Sequence, residues 1–337
     1  MNFNNIKQWF LSHRRSLPWR DHPTPYRVWV SEVMLQQTQV SIVIPYFLHW
    51  MKVFPTIHAL ASASLTDVLK IWEGLGYYSR ARYLHEGARF LVSEYGGELP
   101  SDPMNLAKIH GIGPYTQSAI RSFAFKAKTI AIDGNVLRVL SRFFAIIEPI
   151  DRETTRKKIQ QLAENLLPNE EPWLVSEGLI ELGALVCKKQ PICSQCPLIE
   201  DCLAFRYKKT DQFPVRISRQ KTVFLHRYVA IINCRGKFMI QKGEKGKIMA
   251  DLYEFPYVDR KGDVKEVFQE NFALPLDYSY PLPEQKHTFT HFHAYLYPHL
   301  FQTSKQDERF EWKTLEELNE LPFSAGHKRI LKSLSKR

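Results

Sequence analysis

The sequence predicts a mainly α-helical region over residues 1–205, a linker over 206–224 and an α+β domain over 225–337. Three observations support this division. Apolar residues recur at three- and four-residue spacing in the first part, the linker is polar and basic, and apolar residues alternate with polar ones beyond it. With 337 residues and 44% hydrophobic content, the chain is long enough for two domains that each bury a core.

Periodicity and stop signals define the helices of the first region. Tyr26, Trp29 and Val33 follow helical spacing and predict a helix over about 25–37. Asp102 followed by Pro103 is typical of a helix start, because a capping side chain precedes a proline in the first turn. We expect further helices near 40–53, 65–73, 79–94, 103–109, 114–125, 134–145, 152–166 and 172–186.

The second region shows strand patterns. Residues 228–232 and 238–241 read as strands on either side of a turn at Arg235-Gly236, and 293–297 alternates in the same way. Residues 308–318 are mixed, and a closing helix is expected over about 323–334. These patterns predict an α+β domain.

Charge and hydropathy limit the class of protein. The net charge of +11 is shared by both regions and favours a polyanionic partner such as nucleic acid. The sequence contains no run of 18 apolar residues of the kind that predicts a membrane span. The N-terminus also lacks the pattern of a secretory signal. We therefore expect a cytoplasmic protein whose cysteines stay reduced. We also expect a monomer and, in bacteria, association with nucleoid DNA.

Four of the five cysteines form a compact cluster with the spacing C-x5-C-x2-C-x5-C. Such a cluster in a reducing compartment indicates a metal site or an iron–sulfur cluster. Zinc is the main alternative, but zinc ribbons usually show two C-x2-C pairs, so the spacing favours a 4Fe–4S cluster. The predicted ligands are Cys187, Cys193, Cys196 and Cys202.

Two carboxylates lie in apolar sequence, where a charge is costly. They are Glu32 and Asp133, and between them the turn Gly111-Ile112-Gly113-Pro114 opens a helix. A pair of carboxylates near such a turn suits cleavage of a sugar bond in a molecule held by its phosphates. The structural alternatives are a solvent-facing helical Glu32 and a helix-capping Asp133.

These residues carry a family resemblance. Residues 106–116 resemble the helix–hairpin–helix motif of DNA glycosylases, with Asp133 twenty residues beyond Gly113 and the four-cysteine loop after it. The resemblance is specifically to adenine DNA glycosylases of the MutY type, and it is carried by residues 17–20, 31–40 and 74–82. The resemblance implies an enzyme that acts on double-stranded DNA and removes adenine mispaired with 8-oxoguanine or guanine.

The resemblance also implies roles for individual residues. Glu32 would be the general acid and Asp133 would stabilise the oxocarbenium ion, supported by Tyr115 and Asn135. Because related bifunctional enzymes carry Lys where this chain has Tyr115, and a phenol cannot form an imine, we expect base removal without strand cleavage. The implied DNA contacts are Gln37, Thr38, Leu75, Tyr77, Gly111 and Gly113, and the implied adenine pocket is Leu17, Trp19, Arg20, Glu177 and Ile180.

The C-terminal domain resembles a Nudix fold, entered by the strand at 249–256. A Nudix hydrolase needs a glutamate-rich helix, but the matching stretch has only Glu266 and Glu270, so we expect no hydrolase activity. Phe289-Thr290-His291 matches the loop that recognises the oxidised guanine.

The alternative functions for the whole chain are an endonuclease III-like bifunctional glycosylase and lyase, a DNA-binding module without activity, and a Nudix pyrophosphatase.

Overall fold

The computed structural model describes residues 3–217, 222–244, 246–247, 249–272, 274–289 and 291–335. The chain divides into two compact units: Met1–Ser62 with Tyr83–Ser218, and Ala63–Arg82 with Arg219–Arg337. The first is helical and the second combines a sheet with helices, which confirms the predicted fold class. Within the described part of the chain, no helix is long and apolar enough to cross a membrane.

The helices follow the predicted order. They are α1 (Asn4–His13), α2 (Pro18–Asp21), α3 (Pro25–Leu35), α4 (Val40–Val53), α5 (Ile57–Ser62), α6 (Leu65–Ile71), α7 (Ser79–Tyr95), α8 (Pro103–Leu106), α9 (Pro114–Ala119), α10 (Gly134–Phe143), α11 (Glu153–Glu164), α12 (Pro172–Leu185), α13 (Leu203–Arg206), α14 (Val264–Phe272), α15 (Leu315–Glu320) and α16 (Ala325–Leu334). A π-helical turn over 120–124 extends α9.

Helix α3 carries the first predicted carboxylate, and its ends have local causes. The Thr24 side chain accepts a hydrogen bond from the Arg27 amide at 3.3 Å, and Pro25 fixes the first turn. The helix ends at Leu35, two residues before the predicted end, and Gln37 has a φ of +58°. A left-handed residue cannot continue a right-handed helix, so the chain turns away there.

The hairpin between α8 and α9 is tight. Asp102 caps α8 by accepting a hydrogen bond from the Asn105 amide at 2.9 Å. The helix ends at Leu106, before the predicted residue 109. Gly111 has a φ of +83°, and a Cβ there would lie 2.5 Å from the Cβ of Tyr83. Both facts require glycine at this position.

One hydrophobic core cluster of the first unit lies between α1, α10 and α12. Phe3, Ile6, Leu140 and Leu179 are fully buried there. A Cβ on Gly178 would lie 2.5 Å from a methyl carbon of Ile6, so glycine permits the close approach of α1 and α12. This packing fixes the orientation of α12 and therefore the positions of its glutamates, Glu177 and Glu181.

The sheet of the second unit has the order β3-β2-β1-β7-β5, with β4 paired to β1, β6 to β7 and β8 to β2. Its strands are β1 (Val223–Cys234), β2 (Lys237–Lys242), β3 (Tyr253–Glu254), β4 (Tyr257–Asp259), β5 (Asp277–Pro281), β6 (Gln285–Phe289), β7 (Phe292–Gln302) and β8 (Glu311–Thr314). The long strands β1 and β7 are parallel. One face packs against α15 and α16, and part of the other packs against α14.

Helix α6 and the loop after it belong to this second unit. Lys70 donates to the carbonyl of Leu321 at 3.2 Å, and the amide of Phe323 donates to Glu73 at 2.8 Å. The Tyr78 hydroxyl donates to the carbonyl of Phe323 at 3.3 Å. These bonds join residues about 250 positions apart in sequence.

Candidate active site

A cleft of about 580 Å³ opens in the first unit, and side chains from α3, α9, α10 and α12 line it. This volume lies in the range of small-molecule sites. The cleft brings together most of the residues that the sequence predicted for the site. They are Leu17, Trp19, Arg20, Glu32, Gln37, Thr38, Tyr115, Asp133, Asn135, Glu177 and Ile180.

Glu32 is a buried carboxyl group that lines the cleft, with only 5% of the residue exposed. The solvent-facing alternative is therefore wrong. Burial raises the pKa of Glu32 to about 7, and the negative charges of Asp133 and Glu177 act in the same direction. The hydrogen bond that the Tyr115 hydroxyl donates to Glu32 partly offsets this effect. Glu32 can thus hold a proton near neutral pH.

Asp133 lies at the start of α10. One carboxylate oxygen accepts a hydrogen bond from the Val136 amide at 2.7 Å, and the other accepts one from the Asn135 side chain at 2.8 Å. The expected helix-capping role is thus confirmed. Burial raises the pKa of Asp133, but these hydrogen bonds favour the anion. The carboxylate is held in one orientation from two sides.

Tyr115 belongs to the helix–hairpin–helix motif and hydrogen-bonds to Glu32. Burial raises the pKa of its phenol well above the usual value, and the neighbouring carboxylate of Glu32 adds to this. The phenol therefore keeps its proton and donates it in the hydrogen bond to Glu32. A neutral donor of this kind orients the carboxyl group without adding charge.

Arg20 and Glu177 form the polar wall of the cleft, and the buried Glu181 of α12 contacts Arg20 without lining the cleft. The Arg20 guanidinium contacts Glu177 at 2.9 Å and Glu181 at 3.0 Å. Glu181 is fully buried and also accepts from Arg15 at 2.6 Å. Burial alone would raise the pKa of Glu181, but the bonds from Arg15 and the charge of Arg20 together lower it. Sequence reasoning missed Glu181, although it lies one helical turn after Glu177 in an apolar segment.

The remaining predicted DNA contacts lie outside the cleft lining. Gly111 and Gly113 are exposed in the hairpin, and a Cβ on Gly113 would meet nothing within 4 Å. Leu75 and Tyr77 belong to the second unit. Leu75 is buried, whereas Tyr77 is 41% exposed with a φ of +48°. The next residue, Tyr78, is buried in the core.

Of the predicted lesion-recognition residues, Phe289 and His291 lie where β6 meets β7. Phe289 ends β6, and the ring of His291 lies 4.1 Å from that of Phe292. Thr290 lies outside the described residues. Glu266 and Glu270 are both exposed on α14.

The four clustered cysteines line one apolar pocket beside α10. Arg142 donates to the Cys187 sulfur at 3.3 Å and to the carbonyl of Lys188 at 2.6 Å. Burial raises the pKa of Cys196 to about 12 and also raises the pKa of Cys202. Among the residues described, no three His, Cys, Asp or Glu side chains are grouped closely enough to hold a metal ion. Four thiols beside a guanidinium nevertheless match the chemistry of a thiolate-ligated metal group.

Comparison with known proteins identifies the class. Residues 30–165 match the HhH-GPD superfamily of base excision DNA repair proteins, and residues 227–333 match the NUDIX domain. A solved thermostable thymine-DNA glycosylase is similar with a TM-score of 0.57 and 25% identity, covering 61% of this chain and 95% of that one. Endonuclease III in a trapped DNA intermediate has a TM-score of 0.53 at 24% identity, covering 61% and 94%, and shows the fold alone. Together the fold and the matches define a helix–hairpin–helix DNA glycosylase of base excision repair with a Nudix-type domain.

Curated relatives give the specific family. The adenine DNA glycosylase of Buchnera aphidicola subsp. Schizaphis graminum is 33% identical over 304 residues, covering 89% of this chain and 87% of the relative. That of Mus musculus is 44% identical over 213 residues, covering 60% of this chain and 41% of the mouse protein. The chain belongs to the adenine DNA glycosylase family, as the sequence motifs predicted, and it is a DNA N-glycosylase.

Proposed function

We propose that this enzyme removes adenine opposite 8-oxoguanine or guanine by hydrolysis alone, with Glu32 as general acid and Asp133 as the stabiliser of the sugar cation. One observation carries the proposal. Glu32, with its raised pKa, and Asp133 line the same cleft together with Tyr115. Since a base inside a duplex is out of reach, the target nucleotide must be flipped into this cleft.

The first step is protonation. Glu32 transfers its proton to a ring nitrogen of adenine, so that the base leaves neutral rather than as an anion. A pKa of about 7 keeps a large fraction of Glu32 protonated at neutral pH while leaving the group acidic enough to donate. Tyr115 holds the carboxyl group in place.

The second step is bond cleavage. The electron pair of the bond between the sugar C1′ and the base nitrogen leaves with adenine, and positive charge develops on C1′ and the ring oxygen. The Asp133 carboxylate stabilises this charge, and the bonds from Val136 and Asn135 favour its anionic form. Water then adds to C1′ and gives its proton to Glu32, which restores the starting acid.

Base selection is assigned to the polar wall of the cleft. Arg20 and Glu177 offer a donor and an acceptor for the edge of adenine, and Leu17, Trp19 and Ile180 supply apolar surface. Because Arg20 is held by two carboxylates, its donors keep a fixed direction.

Duplex opening is assigned to two strained residues. Gln37 and Tyr77 both have left-handed backbones, which for residues other than glycine costs about 1–3 kcal/mol. Such strain is common at functional sites, and apolar or planar side chains inserted between base steps hold a duplex open. Thr38 and Leu75 flank them, and the amides at Gly111 and Gly113 are available to a phosphate.

The C-terminal residues Phe289, Thr290 and His291 are assigned to recognition of the oxidised guanine. With two glutamates on α14 in place of a full Nudix box, this domain binds rather than hydrolyses. The four-cysteine pocket is assigned to a 4Fe–4S cluster, which would be held by Cys187, Cys193, Cys196 and Cys202 and would pin the loop of 187–202.

A panel of duplex oligonucleotides tests the function. The substrates carry adenine opposite 8-oxoguanine, adenine opposite guanine, and thymine glycol opposite adenine. We expect strand breaks at the first two only, and only after alkali. Breaks at thymine glycol without alkali would instead support the endonuclease III-like alternative.

Replacing Tyr115 by lysine should create strand cleavage. The introduced amine can attack C1′, displace the base and form a Schiff base that permits elimination of the 3′ phosphate. We expect nicking of the adenine:8-oxoguanine duplex without alkali and a covalent complex trapped by borohydride. Tyr115→Phe is the control, because it keeps the ring, lacks the amine and should give no trapped complex. Equal trapping in the wild type would contradict the monofunctional assignment.

Metal analysis tests the cysteine pocket. We expect about four iron atoms and little zinc per chain after anaerobic purification, with visible absorbance that is lost on Cys196→Ser. Cys234→Ser is the matched control, since Cys234 belongs to β1 of the second unit and not to the four-cysteine pocket, and it should retain the iron. One zinc and no iron per chain would establish the alternative.

A further inference from the structure

The second unit has an open sheet face lined with rings. The part of this face near Ala230 and Ile232 packs against α14. Toward the other end of the same strands the rings keep solvent exposure, and Phe224 is 58% exposed. The ring-bearing residues are Phe224, His226 and Tyr228 on β1 and His293, Tyr295, Tyr297 and His299 on β7. We call this set the aromatic face.

Five rings of the aromatic face, those of His226, Tyr228, Tyr295, Tyr297 and His299, form a continuous ladder. The rings of His226 and Tyr295 are stacked, with centroids 4.9 Å apart and planes 7° apart. The ring of Tyr228 lies 6.4 Å from that of Tyr297 and 5.4 Å from that of His299. His226 and the Tyr297 hydroxyl are also hydrogen-bonded at 3.1 Å. The rings therefore hold one another in position before any ligand binds.

Cations lie over two rings of this ladder. The guanidinium of Arg260 lies 4.2 Å from the centre of the Tyr297 ring, and the ammonium of Lys286 lies 5.4 Å from that of Tyr295. The strands β1, β6 and β7 contain no Asp or Glu at any position. The nearby Asp263 is engaged at the start of α14, where it accepts from the Lys265 amide at 2.9 Å. The face thus carries positive charge and exposed rings together.

We propose that the aromatic face is a second nucleic-acid site, which binds unpaired DNA bases by stacking and the adjoining phosphates through Arg260 and Lys286. Every base has a flat face, so an array of rings bordered by cations binds single strands with little sequence preference. A duplex offers only its edges and phosphates to such a surface, because its bases are already stacked. The site shares no residue with the cleft and needs no adenine.

Binding of a labelled (dT)12 oligonucleotide to the full-length protein tests the site. The oligonucleotide contains no adenine, so its binding does not depend on the proposed excision. Fluorescence anisotropy should show that the double variant Tyr295→Ala/Tyr297→Ala binds at least about tenfold more weakly, since each lost stack weakens binding roughly fivefold or more. Tyr295→Phe/Tyr297→Phe keeps both rings and should bind within about threefold of the wild type.

The matched control is Tyr280→Ala. Tyr280 is 39% exposed on β5, opposite Leu300, which belongs to the core on the other side of the sheet. It should leave binding unchanged. Photocrosslinking of the wild type to an iodouracil-substituted strand gives a readout that does not depend on any variant folding. Crosslinks at His226, Tyr295 or Tyr297 are expected, whereas crosslinks confined to the first unit, or equal affinity of the alanine and phenylalanine variants, would overturn the proposal.

Discussion

Glu32→Gln is expected to lower the rate of adenine excision by about 10²–10⁴-fold, the usual contribution of a general acid, while duplex affinity stays within a few-fold. Glutamine matches glutamate in size and can still accept the hydrogen bond from Tyr115, but it has no acidic proton to donate. Single-turnover excision on the adenine:8-oxoguanine duplex measures the rate, and electrophoretic mobility measures the affinity. Near-normal excision by this variant would show that the acid lies elsewhere.

The same residue predicts the pH dependence. Excision by the wild type should fall as pH rises above about 7, because Glu32 loses its proton there. The folded-state pKa is raised above the ordinary 4.5, so folding favours the protonated form and stability is lost as pH rises from 4.5 to 7. Glu32→Gln removes this loss and should be more stable than the wild type at pH 8 by up to about 3 kcal/mol. Denaturant unfolding at pH 5 and pH 8 measures the difference, and a gain that is the same at both pH values would count against the buried acid.

Asp133→Asn should reduce excision by at least about a hundredfold, comparable to the loss of one group that stabilises transition-state charge. The sugar cation develops beside this side chain, and an amide cannot supply negative charge to it. Asparagine remains a good helix cap, so the bond to the Val136 amide and the stability of α10 should be largely retained. Single-turnover excision and thermal unfolding measure the two effects separately.

Asp133→Ala is the control that separates the roles of this carboxylate. It removes both the charge and the cap, so it should lose excision as Asn does and also lose about 1 kcal/mol of stability. If the asparagine variant were as unstable as the alanine variant, its lost activity would reflect damage to α10 rather than missing charge.

Local patterns predicted much of the site. Glu32 lies in a strongly apolar helix, and Asp133 precedes a helix start, so both environments could be inferred from neighbours in sequence. The end of α3 was misplaced, because the left-handed turn at Gln37 falls on a residue that is not glycine and leaves no sign in the sequence.

Contacts between distant segments were the part that could not be predicted. The burial of Glu181 depends on its bond with Arg15, which is 166 positions away in the sequence. No periodicity in the sequence indicates such a partner. Likewise, no residue near Glu73 in the sequence indicates that Glu73 accepts a hydrogen bond from the Phe323 amide. Long-range polar pairs of this kind arise from the tertiary fold, which a single sequence reveals only through resemblance.

The attachment of α6 to the C-terminal residues has a consequence for how the chain can be divided. A fragment that stops at the linker would keep Lys70 and Glu73 yet lose the carbonyl of Leu321 and the amide of Phe323 to which they bond. The loop bearing Tyr77 would then lack its anchor, although every residue of that loop would still be present. No single cut in the sequence therefore separates the two compact units, because residues 63–82 belong to the second unit but lie within the sequence of the first.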